Sequence, residues 1–384
     1  MKEIGIGVIG YGFIGRVHTL SYLNIPFFYE PLGSRLKLIG VCSSKLKNAQ
    51  RGIAQAGFGF ATDDYKDILD NKDIELVSIC TPNYLHKDIV IDAIKADKSI
   101  YCEKPLARDL DEAQDMLKAY KNSKKTVQMA FEYRFQPAIM RAKQLVEKGF
   151  LGKPLSARIA YLHSGYIDPE RPLSWRLDSS ASGGGAIYDL GSHIIDLVRY
   201  LLGDFKRISA KFDTFFKKRP AGDGSLKQVD VEVDDVAFSM FELENGLTGT
   251  MEASRIATGT NDEIRLEIHG DKGSLKFNSM QPNYLYVYDV RDKDTPIGGD
   301  RGYKALETVQ RYPLPALGFP GPKFSVGWLR YNIASTYDFV KNAIDGKRSE
   351  PDIFSGYKVQ EVMEAARLSD AKGIWIDLPV NKKG

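Results

Sequence analysis

Ile4-Gly5-Ile6-Gly7-Val8-Ile9-Gly10-Tyr11-Gly12-Phe13-Ile14-Gly15 is the stretch that decides the fold. An apolar strand runs into G-x-G-x-x-G, and a helix opens behind it. Gly10 permits the tight turn, Gly12 lets the backbone approach a pyrophosphate, and Gly15 allows close helix–strand packing. The helix N-terminus faces the phosphates, with Phe13 and Ile14 between the glycines. A lone motif of this kind is weak. Here it stands between a strand and a helix at the head of an alternating region, the context that gives it meaning.

Outward from this stretch, strand-like runs at residues 4–9, 36–42, 76–80, 99–102 and 126–130 alternate with helical runs at 14–22, 46–56, 66–69, 86–96 and 110–120. That alternation predicts a parallel sheet with helices on both faces and ligands at the carboxyl ends of its strands. From about residue 154 long strand-like runs dominate: 155–163, 208–216, 231–243, 247–256, 263–268 and 285–290. Asn245-Gly246 and Asp271-Lys272-Gly273 read as hairpin turns. The expected fold is α/β, a Rossmann dinucleotide-binding domain over 1–131. An α+β domain with a mostly antiparallel open sheet follows over 132–384. Residues 291–327, rich in Gly and Pro and without a period, read as a lid or a subunit contact. Helices are expected at about 328–345 and 354–372, the last packing back on the first domain.

The chain has 384 residues, enough for two domains. A formal charge of +3 makes no electrostatic case for nucleic acid or a membrane surface, and no apolar run reaches spanning length. Met1-Lys2-Glu3 leads straight into the first strand rather than into a signal peptide. Three cysteines without metal-ligand spacing fit a reduced, cytoplasmic protein and no metal site.

Four later motifs carry chemistry. The second strand ends in Ser43-Ser44-Lys45, without the usual ribose-binding acid. Hydroxyls and two lysines, Lys45 and Lys47, welcome a 2′-phosphate, so the cofactor is NAD or NADP, with NADP favoured. Thr81-Pro82-Asn83 and His86 follow a buried strand, where backbone groups reach a nicotinamide ribose. Glu103-Lys104-Pro105 ends another; Lys104 can donate to a substrate oxygen, and its bond to proline is a candidate cis peptide. Wound as a regular helix, Gly183-Gly184-Gly185-Ala186-Ile187-Tyr188-Asp189-Leu190-Gly191-Ser192-His193-Ile194-Ile195-Asp196 sets Asp189, His193 and Asp196 on one stripe. Its apolar residues face the other way. A carboxylate one turn from an imidazole suits proton transfer. Arg134, His163, Trp175 and Arg176 are further candidates for holding a polyol. His18 reads as structural.

G-x-G-x-x-G, C-T-P-N-x-x-H, E-K-P and G-G-G-x-x-x-D-x-G-x-H-x-x-D, in this order, resemble the glucose–fructose oxidoreductase/inositol dehydrogenase/MocA family over nearly the whole chain. Phe131-Glu132-Tyr133-Arg134-Phe135-Gln136-Pro137-Ala138 is similar to that family's crossover between domains. The resemblance implies a catalytic triad of Lys104, Asp189 and His193. It also implies a homodimer or homotetramer paired through the open sheet. The expected activity is hydride transfer between NAD(P) and a secondary alcohol of a sugar or cyclitol. The alternatives are an NAD-dependent glycoside hydrolase of the same fold and a sugar or nucleotide sensor without turnover.

Overall fold

The computed structural model describes residues 2–225 and 227–380. The chain divides into two compact units. The first holds Met1–Phe135, Tyr312–Pro322 and Gly327–Lys358; the second holds Gln136–Arg311, Lys323–Val326 and Val359–Gly384.

In the first unit β1 (Lys2–Ile9), β2 (Ser34–Cys42), β3 (Phe60–Thr62), β4 (Leu76–Ile79), β5 (Ser99–Cys102) and β6 (Val127–Met129) form a parallel sheet of order β3-β2-β1-β4-β5-β6. Its helices are α1 (Phe13–Phe28), α2 (Leu46–Ala56), α3 (Tyr65–Asp70), α4 (His86–Lys95) and α5 (Leu110–Lys121). All residues of β4 and β5 are buried, because helices cover both faces. The order reverses between β1 and β4, which makes their carboxyl ends the ligand-binding edge. Two elements differ from the sequence reading. β3 has three residues, too few for a pattern to register. α1 runs on past Tyr22 because Ile25 continues its buried face, and Pro26 falls only in the last turn.

The single cut expected near residue 131 is replaced by a discontinuous unit. Residues 328–344 return to it because Ile333, Ala334, Phe339 and Val340 complete its core. Tyr337 stacks on Tyr29 at 3.6 Å, and the Tyr101 hydroxyl donates to Ser335 Oγ at 2.8 Å. Nor are residues 291–327 one long lid. The amide of Leu317 donates to Phe28 O at 2.9 Å, docking residues 312–322 on the end of α1.

The second unit contains α6 (Pro137–Glu147), β7 (Pro154–Leu162), α7 (Ser179–Ser182), α8 (Ser192–Leu202) and β8 (Phe205–Asp213). A ribbon of β9 (Lys218–Pro220) and β10 (Gln228–Asp230) follows. β11 (Val236–Leu243), β12 (Thr248–Ser254), β13 (Glu263–Gly270), β14 (Gly273–Asn278), β15 (Tyr284–Asp289) and β16 (Lys304–Glu307) come next. After α9 (Trp328–Ile344) of the first unit, α10 (Ile353–Lys372) and β17 (Ile376–Asp377) end the described chain. Residues 353–358 of α10 count with the first unit and 359–372 with the second. The large sheet has the order β16-β15-β14-β13-β7-β12-β11-β8-β17, and its one parallel pair is β12 with β7. One face carries the Ile187–Gly191 turn, which packs on β7, β11 and β12, with α8 behind it. The other face is open.

The strand expected from residue 231 starts only at Val236, because two aspartates turn the chain first. Asp235 Oδ2 accepts from the amides of Phe215 and Phe216 at 2.9 and 3.0 Å. The Asp234 carboxylate accepts from the amides of Gly185 and Ile187, both at 2.8 Å. Asp234 O accepts from Ala186 N at 2.9 Å and from Arg255 Nη2 at 2.8 Å. A Cβ on residue 185 would press into the Asp234 backbone, so glycine is required there. Burial pushes the Asp234 carboxyl up from its ordinary value; Arg255 and the two amides pull it back. Asp234→Ala strips two buried amides of their acceptor and removes the charge facing Arg255, whose hydrogen bond to the residue's backbone carbonyl survives. It should cost about 2–4 kcal/mol of stability. Asp234→Asn, which keeps one acceptor oxygen, should cost less; denaturant midpoints of the two variants check this.

Candidate active site

The N-terminal loop is shaped by steric limits. Gly10 has φ +98°, and a Cβ there would run into the Cys80 carbonyl; a Cβ on residue 15 would meet Gly10 O. Gly12 caps α1 without a side-chain hydrogen bond, and a Cβ on it would meet nothing within 4 Å. The space beside Gly12 at the start of α1 is therefore clear, as a pyrophosphate approaching the helix requires. Phe13 is exposed and stacks on Trp328 at 5.8 Å, and Ile14 is half-buried behind it. Thr81 Oγ1, at the end of β4, is buried with no protein partner. The glycine cradle and this unpaired hydroxyl fit a bound dinucleotide.

At the end of β2, Ser43 N donates to Thr62 O at 3.1 Å, and Ser44 and Lys45 are exposed. The sequence reading missed the acids that β3 delivers here. Burial, then Asp64, Asp63 and Asp67, push the Cys42 thiol up to about 12.

Lys104 is half-buried at the end of β5, and its bond to Pro105 is cis. Glu103 and His86 lie behind the loops. Glu103 is buried, with Oε1 3.0 Å from His18 Nε2. His86 is wholly buried, its two ring nitrogens 3.0 Å from Thr81 O and 3.0 Å from Pro105 O. Burial lowers its pKa against the pull of those carbonyls. It clasps the two loops together rather than facing a ligand. Pro82 precedes the short turn Asn83–Leu85, in which Asn83 is buried. Arg134 is buried with its Nη1 4.0 Å from Glu350.

In the second unit the expected regular helix is replaced at its start. Ile187–Gly191 winds as a π-turn before α8 begins at Ser192. Such turns hold an extra residue and recur at functional sites. Asp189 is half-buried, whereas His193 and Asp196 are buried, so the polar stripe is sealed rather than turned to solvent. The Tyr161 ring lies 5.7 Å from the His193 ring, and its hydroxyl donates to Asp262 Oδ1 at 2.7 Å. His163, just past β7, accepts from Gly165 N through Nδ1 at 3.0 Å. Burial lowers its pKa, and Asp189 is the first group to pull it back, which puts the two in one electrostatic neighbourhood. Arg176 lies over the Trp175 ring at 4.4 Å, and its carbonyl accepts from Arg255 Nη1 at 3.3 Å.

The first unit thus groups Lys104 with Glu103, His18 and His86; the second groups Asp189 and His193 with His163 and Tyr161. Sequence reasoning missed Tyr161, Asp262, Asp234 and Arg255. The one signal for Asp234 was an acid pair inside an apolar run.

Residues 4–131 match the model of an oxidoreductase family with an NAD-binding Rossmann fold. Residues 139–276 match the GFO/IDH/MocA C-terminal domain. The chain is 35% identical to levoglucosan dehydrogenase of Pseudarthrobacter phenanthrenivorans over 99% of both chains. It is 27% identical to myo-inositol 2-dehydrogenase of Thermotoga maritima over 78% of this chain and 81% of that one. Levoglucosan dehydrogenase solved with NADH and levoglucosan superposes with a TM-score of 0.91 at 35% identity, covering 99% of this chain and 100% of the other. With a phosphate cradle in one unit and an acid–imidazole turn in the other, the chain belongs to the GFO/IDH/MocA family of NAD-binding oxidoreductases.

Proposed function

We propose that the chain is a nicotinamide-dependent dehydrogenase that oxidises a secondary hydroxyl of a ring polyol, an anhydrosugar or a cyclitol. The observation that carries this reading is the end-to-end likeness to levoglucosan dehydrogenase. The Gly10–Gly15 loop and Thr81 hold the dinucleotide, which supplies the hydride acceptor when bound. His193 takes the hydroxyl proton. Asp189 orients the imidazole and stabilises its protonated form. The Lys104 ammonium donates to the reacting oxygen and favours charge developing on it. His163, its pKa lowered by burial and its Nδ1 occupied by the Gly165 amide, stays neutral at pH 7 and offers Nε2–H to a sugar hydroxyl. Trp175 supplies an apolar wall, and Arg176 and Arg134 supply donors to hydroxyls.

At the adenosine end, exposed Ser44 and Lys45 offer donors to a 2′-phosphate, which supports use of NADP beside NAD. Among subunits, the reading is a homo-oligomer joined through the open sheet face. There Phe238 and Met240 are 46% and 52% exposed beside a depression of about 640 Å³ rimmed by Arg158, Lys211, Glu252 and Arg265. No helix among the described residues is long and apolar enough to cross a membrane.

The test is nicotinamide reduction followed by absorbance on a panel of inositols, aldoses and anhydrosugars, with NAD and NADP separately. Lys104→Ala and His193→Ala should each lower kcat by about 10²–10⁴ while NADH still binds. Near-normal turnover in either variant removes that residue from the chemistry. No reduction with any pair, from enzyme that binds NADH, would sink the dehydrogenase reading. Lys45→Ala should lower kcat/KM for NADP by about tenfold and leave NAD nearly unchanged; an equal effect on both would show no phosphate contact. Light scattering should find an oligomer that Phe238→Lys with Met240→Glu dissociates, and an unaltered mass would place the interface elsewhere.

A further inference from the structure

Behind Lys104 lies a buried hydrogen-bond chain that the proposed chemistry does not use. Glu103 and His18 are 8% and 1% exposed. With Glu103 as carboxylate, an acceptor only, both of its neighbours donate to it. Lys104 N donates to Glu103 Oε2 at 3.3 Å, and His18 Nε2 donates to Oε1 at 3.0 Å. His18 Nδ1 is then an acceptor, 3.2 Å from Ser78 Oγ and 3.2 Å from Cys80 Sγ. The Tyr22 hydroxyl lies 2.8 Å from Ser78 Oγ. Burial pushes the Tyr22 phenol up, so it keeps its proton. The Tyr101 ring walls the imidazole at 4.7 Å. His18 and Tyr22 both stand on α1, the helix whose first turn forms the phosphate cradle, and Ser78 stands on β4.

We propose that His18 and Glu103 are positioning residues for Lys104: the chain fixes the lysine's backbone amide and roots its loop in the helix that receives the dinucleotide. A carboxylate in this place needs no contact with substrate. Its oxygens are taken by the imidazole and by the lysine's own amide, so a shift of either partner re-aims the ammonium. The inference rests on the reading of Lys104 as the donor to the reacting oxygen.

The test uses the full-length enzyme. His18→Ala and Glu103→Gln should each lower kcat by about tenfold or more, because small misplacements of a catalytic group are costly. The sugar KM and the NADH dissociation constant, read by nicotinamide fluorescence, should stay within about twofold, since ground-state binding is untouched. His18→Gln, whose side-chain amide reaches the place of Nε2, should recover most of the lost kcat. In a Lys104→Met background, His18→Ala should lower the residual rate no further, because the residue acts through the lysine. The same fractional loss in both backgrounds overturns the inference, as does a fall in NADH affinity that parallels kcat. If His18→Ala does not fold, Glu103→Gln carries the comparison, and wild-type kcat in it overturns the inference. A Lys104→Met enzyme with near-normal turnover sinks the reading of Lys104 itself. A crippled Lys104→Met enzyme with an additive His18→Ala loss sinks only the positioning role.

Discussion

A carboxylate taken out of water must be given hydrogen-bond donors, and each unit of this chain holds such an acid beside its candidate residues. In the first unit Glu103 is met by His18 and by the amide of Lys104. In the second, Asp234 is met by the amides of Gly185 and Ile187, while its carbonyl takes the Arg255 guanidinium. Both acids stand one step behind the residues assigned to proton handling. Each of their oxygens accepts a hydrogen bond from within the protein, and in both acids a backbone amide is among the donors. The cost of burying them is offset locally, and the return is geometry that a solvated loop would not keep.

The two units position their candidate residues by different routes. The parallel sheet delivers side chains at strand ends, where β1 and β4 part in opposite directions and leave a ligand-binding edge. His86 then fills the space between the two neighbouring loops, its ring nitrogens each 3.0 Å from a carbonyl, Thr81 O and Pro105 O. The antiparallel sheet delivers its chemistry on a helix laid across one face. There the π-turn of Ile187–Gly191 alters the winding before α8 becomes regular. A turn with poorer internal hydrogen bonding needs outside support, and the Asp234 carboxylate provides it at the first amides.

Most of the first unit was legible because its strands are short apolar runs punctuated by glycine, and its helices carry a period that strands do not. The glycine loop was legible down to the role of Gly15, whose Cβ would strike Gly10 O. The hairpins at Asn245-Gly246 and Asp271-Lys272-Gly273 were legible because they bracket paired strands. What escaped was set by partners far along the chain. Nothing in residues 328–344 says that Tyr337 will stack on Tyr29 or that Ser335 will accept from Tyr101. Nothing near residue 43 announces the acids of β3, which arrive through a three-residue strand.

The sequence by itself determined which residues are chemically able to act. Lys104 before a proline, Asp189 and His193 four apart on an apolar helix, and glycines after the first strand are local facts, and local propensity and periodicity reveal them. Only the tertiary structure decided what surrounds those residues. Glu103 became the buried partner of His18, and Asp234, readable as one strand position among many, became the cap beneath the Ile187–Gly191 turn. The physical reason is that hydrogen-bond satisfaction in a core is a property of the whole packing. A donor and an acceptor 85 or 49 positions apart leave no mark on the residues between them.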